Sequence, residues 1–183
     1  EMQRSLVGSE MCIRDSYQST AIMELSPINA DIYTEFIKRH FAENKKKIAV
    51  ETIQEVYKRF EGITWYIQFM ANSLYAMTAE GEECTVDKVN FAIENILSQL
   101  NFTYSSLLFQ LPPKQKEILI AICKEGKAQE ITSSKFLKTY KLTASSVQGA
   151  IRGLLDKDFV TNELGVYSVY DKFFDIWLRK RIS

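Results

Sequence analysis

Apolar residues recur at intervals of three and four through most of the chain, which is the period of an α-helix. Before Leu111 this pattern predicts four helices, the first beginning at Ser26-Pro27 and the fourth capped by Thr85. No alternation typical of strands occurs between Tyr17 and Leu111, so residues 17–111 are predicted to form a helical bundle. The apolar positions of the first helix are Ile32, Tyr33, Phe36, Ile37 and His40.

The pattern changes at Leu111-Pro112-Pro113, where proline cannot continue a helix. We place a domain boundary there, with a second domain over residues 112–183. It is predicted to hold three helices, a hairpin with its turn at residues 162–165, and a final helix. This order is typical of a winged helix-turn-helix. The predicted fold class is therefore mainly α, a helical bundle followed by a winged helix-turn-helix domain with a small β-hairpin.

The net charge of zero hides a difference between the two halves. Residues 17–111 carry 8 Lys and Arg against 12 Asp and Glu, whereas residues 112–183 carry 13 against 8. Such a split indicates either an anionic partner for the second half or ordinary surface variation. The three cysteines are far apart, which predicts reduced thiols and a cytoplasmic location. No apolar run approaches the ~20 residues that cross a membrane, so no membrane partner is expected.

Candidate catalytic chemistry is sparse along the chain. Gly126-Lys127 is the one Gly-Lys pair, and it lacks the earlier glycine and the following hydroxyl of a P-loop. His40 has no predicted nucleophile beside it, and Glu82-Glu83 has no metal-ligand spacing. The chain is therefore predicted to have no catalytic residue, no metal site, no cofactor and no enzymatic activity of its own.

The second helix of the helix-turn-helix motif offers candidate partner-binding residues. Ser145, Gln148 and Arg152 are predicted to face outward, with Lys157 just after the helix, and such side chains can bind base edges or phosphates. A single positive charge before Lys157, and Glu163 near the wing turn, predict that DNA binding is weak. Two interpretations stay open here, contact with DNA and contact with a protein or another domain.

Residues 5–16 (SLVGSEMCIRDS) resemble a peptide produced when sequencing-adapter DNA is translated by mistake. We interpret residues 1–16 as an artefact and expect the native sequence to start near Tyr17. The native segment upstream is then expected to be missing from the chain.

Three further segments carry a family resemblance. They are residues 23–41 (MELSPINADIYTEFIKRHF), 62–68 (GITWYIQ) and 167–178 (YSVYDKFFDIWL). In this order they resemble the C-terminal half of a prokaryotic AAA+ ATPase of the archaeal-type, STAND-like group. The resemblance implies that the chain is a helical lid plus a winged helix, partnered by an upstream P-loop domain that binds ATP and Mg²⁺.

The same resemblance implies that Gly62 and Thr64 lie on the lid side of the nucleotide site. Thr64, however, stands where relatives carry proline. Arg59 is either a lid residue that faces the phosphates or an ordinary surface charge. The implied function is a nucleotide-sensing, partner-binding region of an ATP-dependent switch. The alternative is a winged-helix transcription regulator with an N-terminal helical domain.

Overall fold

The computed structural model describes residues 27–182, so Ser26 and the segment 5–16 lie outside the described residues. Over this range the chain is mainly helical, as the sequence predicts, with two small two-stranded sheets. In chain order the elements are α1 (Ala30–Glu43), β1 (Lys47–Ile48), α2 (Val50–Arg59), α3 (Thr64–Ala76), β2 (Glu83–Cys84), α4 (Asp87–Gln110), α5 (Pro113–Glu125), α6 (Ser134–Tyr140), α7 (Ala144–Leu155), β3 (Val160–Glu163), β4 (Val166–Val169) and α8 (Lys172–Ile182).

The predicted absence of strands from the first half is wrong. Strands β1 and β2 pair in parallel, with Ile48 opposite Cys84. The buried Thr52 hydroxyl at the start of α2 donates a hydrogen bond to the Cys84 carbonyl over 3.1 Å and fixes this pairing. Each strand has two residues, which is too short to show an alternating pattern in the sequence.

Two predicted helix starts are also wrong. The first helix begins at Ala30, because the Asn29 side chain accepts a hydrogen bond from the Asp31 amide over 2.7 Å and caps it. The fourth begins at Asp87 and has no side-chain cap at its start. Asparagine is as good a cap as serine, so the Ser26-Pro27 signal misplaced the start of α1.

The buried face of α1 differs from the predicted face by a small rotation. The side chains that enter the core are Tyr33, Ile37 and Phe41, one turn apart from each other. Ile32 and Phe36 are exposed, and His40 lies in solvent beside the Glu43 carboxylate, 3.2 Å away. The apolar stripe of α1 is therefore wider than the surface that the other helices cover.

The winged helix-turn-helix prediction is confirmed. Helix α6 is capped by Ser133, and α7 by a reciprocal pair of hydrogen bonds between Thr143 and Ser146. The wing is the antiparallel pair β3–β4, closed by Leu164-Gly165 with positive φ at both residues, 51° and 86°. This is the turn that matches the twist of a hairpin.

A third wing segment went unpredicted. Ala128, between α5 and α6, exchanges two 2.8 Å backbone hydrogen bonds with Tyr167 of β4. A single bridging residue has no periodicity, so the sequence gives no sign of it. It anchors the loop before α6 to the wing.

The buried side chains of both halves form one continuous cluster. Helix α4, 24 residues long, ends the first half and packs against the second. Its Tyr104 ring contacts Phe174 and Trp177 of α8, with centroids 5.1 and 5.7 Å away. Helix α8 therefore closes the core of the bundle as well as that of the winged helix. The boundary at residue 111 stays a prediction.

Candidate functional site

The turn between α2 and α3 holds two of the predicted lid residues. Gly62 is buried with φ +74°, and a Cβ added there would lie 2.9 Å from the Tyr57 hydroxyl oxygen. Both the backbone conformation and the lack of space require glycine. Thr64 is the first residue of α3 and is half-buried, with no side-chain hydrogen bond to any described residue.

The guanidinium of Arg59, the third predicted lid residue, already bonds to two side chains of this chain. Its Nη1 donates to Asn90 Oδ1 over 2.7 Å, and its Nη2 lies 2.5 Å from Glu55 Oε1. A phosphate would have to compete with both contacts. Arg59, Gly62 and Thr64 lie along one turn of chain, but they do not form a phosphate-binding cradle among the described residues.

An exposed apolar and aromatic surface lies at the end of this turn and the start of α3. Trp65 is 59% exposed and stacks on Phe69 with ring centroids 5.2 Å apart, and Ile63 is exposed beside it. A groove of about 550 Å³ separates Ile63 and Trp65 from the wing. The sequence analysis did not predict these residues as a site. Their consecutive position after Gly62 was the available signal.

A hydrogen-bond network joins α3 to the start of α8. The Tyr66 hydroxyl accepts from the Lys172 amide over 3.0 Å and donates to Asp171 Oδ1 over 3.4 Å. Tyr104 donates to the other Asp171 oxygen over 2.9 Å, and Asp171 also caps α8 through the Phe173 amide. Burial and the neighbouring Asp171 carboxylate raise the pKa of Tyr66 to about 12. Tyr66 therefore stays a neutral hydrogen-bond donor at physiological pH.

An ion-pair cluster lies beside this network. Glu61, in the left-handed region with φ 54°, has its carboxylate 3.2 Å from Lys172 Nζ and 3.4 Å from Lys127 Nζ. Partial burial raises the pKa of Glu61, but the two ammonium groups outweigh it and the pKa is lowered. The turn next to Gly62 is thus linked electrostatically to the start of α8 and to the loop that follows α5.

Three of the four predicted partner-binding residues come together on α7. Ser145, Gln148 and Arg152 are exposed and follow one another at three- and four-residue spacing, so they share one helix face. Lys157 lies apart from them, because it follows the end of α7 and its Nζ donates to Gln115 Oε1 of α5 over 3.3 Å.

A groove of about 630 Å³ separates α7 from the wing and from the loop before α6. Gln148, Ile151, Leu164 and Tyr167 line it, and Glu130 is the one charged residue in the lining that the structure describes. A negative charge and no positive charge make this groove a poor match for a DNA backbone.

The part of the chain between residues 27 and 182 shows neither a metal site nor a reactive thiol. Within that range no three His, Cys, Asp or Glu side chains are grouped to hold a metal ion. None of the helices described there is long and apolar enough to cross a membrane. Cys84 and Cys123 are free and buried, and burial together with Asp175 raises the pKa of Cys123 to about 12. Cys123 is therefore a packed thiol and a poor nucleophile.

Comparison with known proteins finds a similarity in the second half of the chain and a similarity of fold. A family model described as a probable winged helix domain matches residues 102–180, a span that begins within α4. The fold is also similar to that of a Walker-type ATPase from Pyrococcus abyssi, with a TM-score of 0.59 and 19% sequence identity. That similarity covers 84% of this chain and 42% of the ATPase chain, so the chain spans less than half of that protein. None of the curated proteins matches the sequence.

Proposed function

We propose that this chain is the lid and winged-helix region of a cytoplasmic, ATP-dependent switch ATPase, with no catalytic site of its own. The observation that carries the proposal is the direct connection between the Gly62 turn and the start of α8 through Tyr66, Asp171 and Glu61. The sequence resemblance implies that this turn lies on the nucleotide side of the lid. The fold shared with part of a Walker-type ATPase supports the coarser assignment to an ATPase-associated winged-helix region.

The packing around this connection is suited to transmitting a displacement. Phe60 stacks on Tyr66 at 5.3 Å and meets the Phe173 ring edge-on at 5.1 Å. Close-packed rings cannot move independently, so a shift of the turn that follows nucleotide binding would also move α8. The winged helix is then the element that reports the nucleotide state to a partner.

ATP and Mg²⁺ would be bound mainly by an upstream P-loop domain. The lid residues present do not fit the phosphates, because Arg59 is held by Asn90 and Glu55. The flat apolar surface of Ile63 and Trp65 fits the face of a purine base better. The lid would therefore contribute apolar contact to the nucleotide and no phosphate chemistry.

The test is to read the source DNA upstream of the Tyr17 codon. An in-frame strand, G-x-x-x-x-G-K-[ST] motif and helix is expected there. The present chain alone should show no ATP binding at micromolar concentrations by isothermal titration calorimetry. A start codon directly before Tyr17, an unrelated upstream domain, or stoichiometric micromolar ATP binding by this chain would contradict the proposal.

A second candidate function is DNA binding by the winged helix, either as part of the switch or as a transcription regulator. The observation that favours it is the exposed polar face of Ser145, Gln148 and Arg152 on α7. The Arg152 guanidinium makes no hydrogen bond or ion pair with the described part of the chain, so it is available to a phosphate or a guanine. The acidic groove beside it argues for a protein partner instead.

We expect the chain to bind random duplex DNA with a dissociation constant no tighter than about 10 µM at physiological salt. Arg152→Ala should weaken this binding by about two- to fivefold. It should also reduce the slope of log binding constant against log salt concentration by about 1, the value for one phosphate contact. Fluorescence anisotropy over a salt series measures both effects. Lys45→Ala is the matched control, since Lys45 is an exposed cation on the bundle, paired with Glu80. Nanomolar, sequence-selective binding that Arg152→Ala abolishes would favour the regulator.

A further inference from the structure

Helix α4 exposes a row of phenylalanines on the side that faces away from the core. Phe91 is 59% exposed, and Phe102 and Phe109 are each 83% exposed. At 100° per residue the three side chains point within about 20° of one direction. The row covers about 27 Å of helix. Isolated exposed apolar residues are normal, but three large rings in line on one face are not.

The residues between these rings complete a regular pattern. Asn95, Ser98 and Ser105 fall on the same face, so the positions follow each other at alternating spacings of four and three residues. That is the heptad spacing of helices that pair along their length. We call these six positions the phenylalanine stripe. From residue 95 to residue 110 the helix carries no charged residue at all, although most of this surface is exposed.

We propose that the phenylalanine stripe is a homodimer interface, in which α4 packs antiparallel against α4 of a second copy of this chain. The stripe is symmetric about Leu100, because its positions pair as 91 with 109, 95 with 105 and 98 with 102. A two-fold axis at Leu100 therefore brings Phe91 against Phe109, an aromatic pair, and Phe102 against the small Ser98. A surface that matches itself when reversed fits a second copy better than it fits an unrelated helix.

The size of the stripe sets the expected strength of this dimer. The three rings expose roughly 450 Å² per copy, if a fully exposed phenylalanine side chain presents about 200 Å². The polar residues of the stripe add to this area but leave it near or below the ~800 Å² per partner of a standard interface. The dimer should therefore dissociate in the range of about 1–100 µM.

The dimer is a property of this chain and is tested without ATP, so its failure can be told apart from a failure of the proposed ATPase role. Sedimentation velocity of the full chain from 1 to 200 µM should show a monomer–dimer equilibrium. Phe102→Asp should hold the chain as a monomer over the whole range, since it buries a charge at the two-fold axis. Leu164→Asp is the matched control, because Leu164 is fully exposed at the wing tip and outside the stripe. A monomer at 200 µM would overturn the proposal and leave the stripe to some other partner.

Cysteine cross-linking tests the orientation and the register. A mixture of Asn95→Cys and Ser105→Cys chains, each with Cys12→Ser, should form mainly 95–105 disulfides between copies under mild oxidation. The remaining native cysteines are buried and should not compete. A predominance of 95–95 and 105–105 links would indicate parallel pairing and contradict the inference. Circular dichroism of each variant confirms that the helices are retained, so that loss of cross-linking cannot be attributed to unfolding.

Discussion

Replacement of Phe173 by alanine is expected to lower the free energy of unfolding by about 3–5 kcal/mol. The ring is 2% exposed and contacts Phe60, Tyr66 and Phe69 with centroid distances of 5.1, 5.4 and 5.8 Å. All three partners belong to the first half of the chain, whereas Phe173 belongs to α8. The cavity would therefore open between the bundle and the winged helix, where neither half can close it alone.

Urea denaturation followed by far-ultraviolet circular dichroism measures this loss. Both the wild type and Phe173→Ala should unfold in a single transition, because the core is continuous. Phe102→Ala removes the same atoms from an exposed position and should cost less than about 0.5 kcal/mol when measured well below the dissociation constant of the proposed dimer. Two separate transitions, with the bundle unaffected by Phe173→Ala, would show that the halves fold independently and would contradict the prediction.

Replacement of Asp171 by alanine is the second large expected effect, with a loss of about 2–4 kcal/mol. Its carboxylate caps α8 by accepting from the Phe173 and Phe174 amides at 2.9 and 3.2 Å. It also accepts from the hydroxyls of Tyr66 and the buried Tyr104. Loss of the helix cap costs about 1 kcal/mol. The buried Tyr104 hydroxyl, left without an acceptor, costs about 1–3 kcal/mol more.

Asp171→Asn should be less destabilising than Asp171→Ala, because one amide oxygen can still accept from the cap or from a tyrosine. Asp156→Ala is a suitable control, since Asp156 is exposed and its side chain bonds to no described residue. It should change the free energy of unfolding by no more than about 0.5 kcal/mol. If Asp171→Ala and Asp156→Ala had equal effects, the hydrogen bonds at the start of α8 would contribute no stability.

The winged helix could be predicted from the sequence because local signals define it. Thr143 and Ser146 cap α7, Gly126 ends α5 with φ 77°, and Gly165 permits the hairpin turn. Each of these signals acts within a few residues, so a single sequence contains it. The order of helices and strands then leaves few alternative folds.

The candidate site could not be predicted in the same way, because its contacts join distant parts of the chain. Tyr66 and Asp171 are 105 residues apart, so no local sequence pattern contains both of them. The sequence allows Arg59 to be a lid residue or a surface charge, and its bond to Asn90 depends on how α2 packs against α4. Pairwise geometry of this kind follows from tertiary packing and not from periodicity.

The position of α8 in the core has a consequence for synthesis on the ribosome. Phe60 and Tyr66 are translated about a hundred residues before Phe173, their main partner. Until α8 emerges, the bundle presents an uncovered aromatic surface, and so does any chain cut short before Lys172. Such a surface is prone to aggregation, so the nascent chain should depend on chaperones until α8 is made.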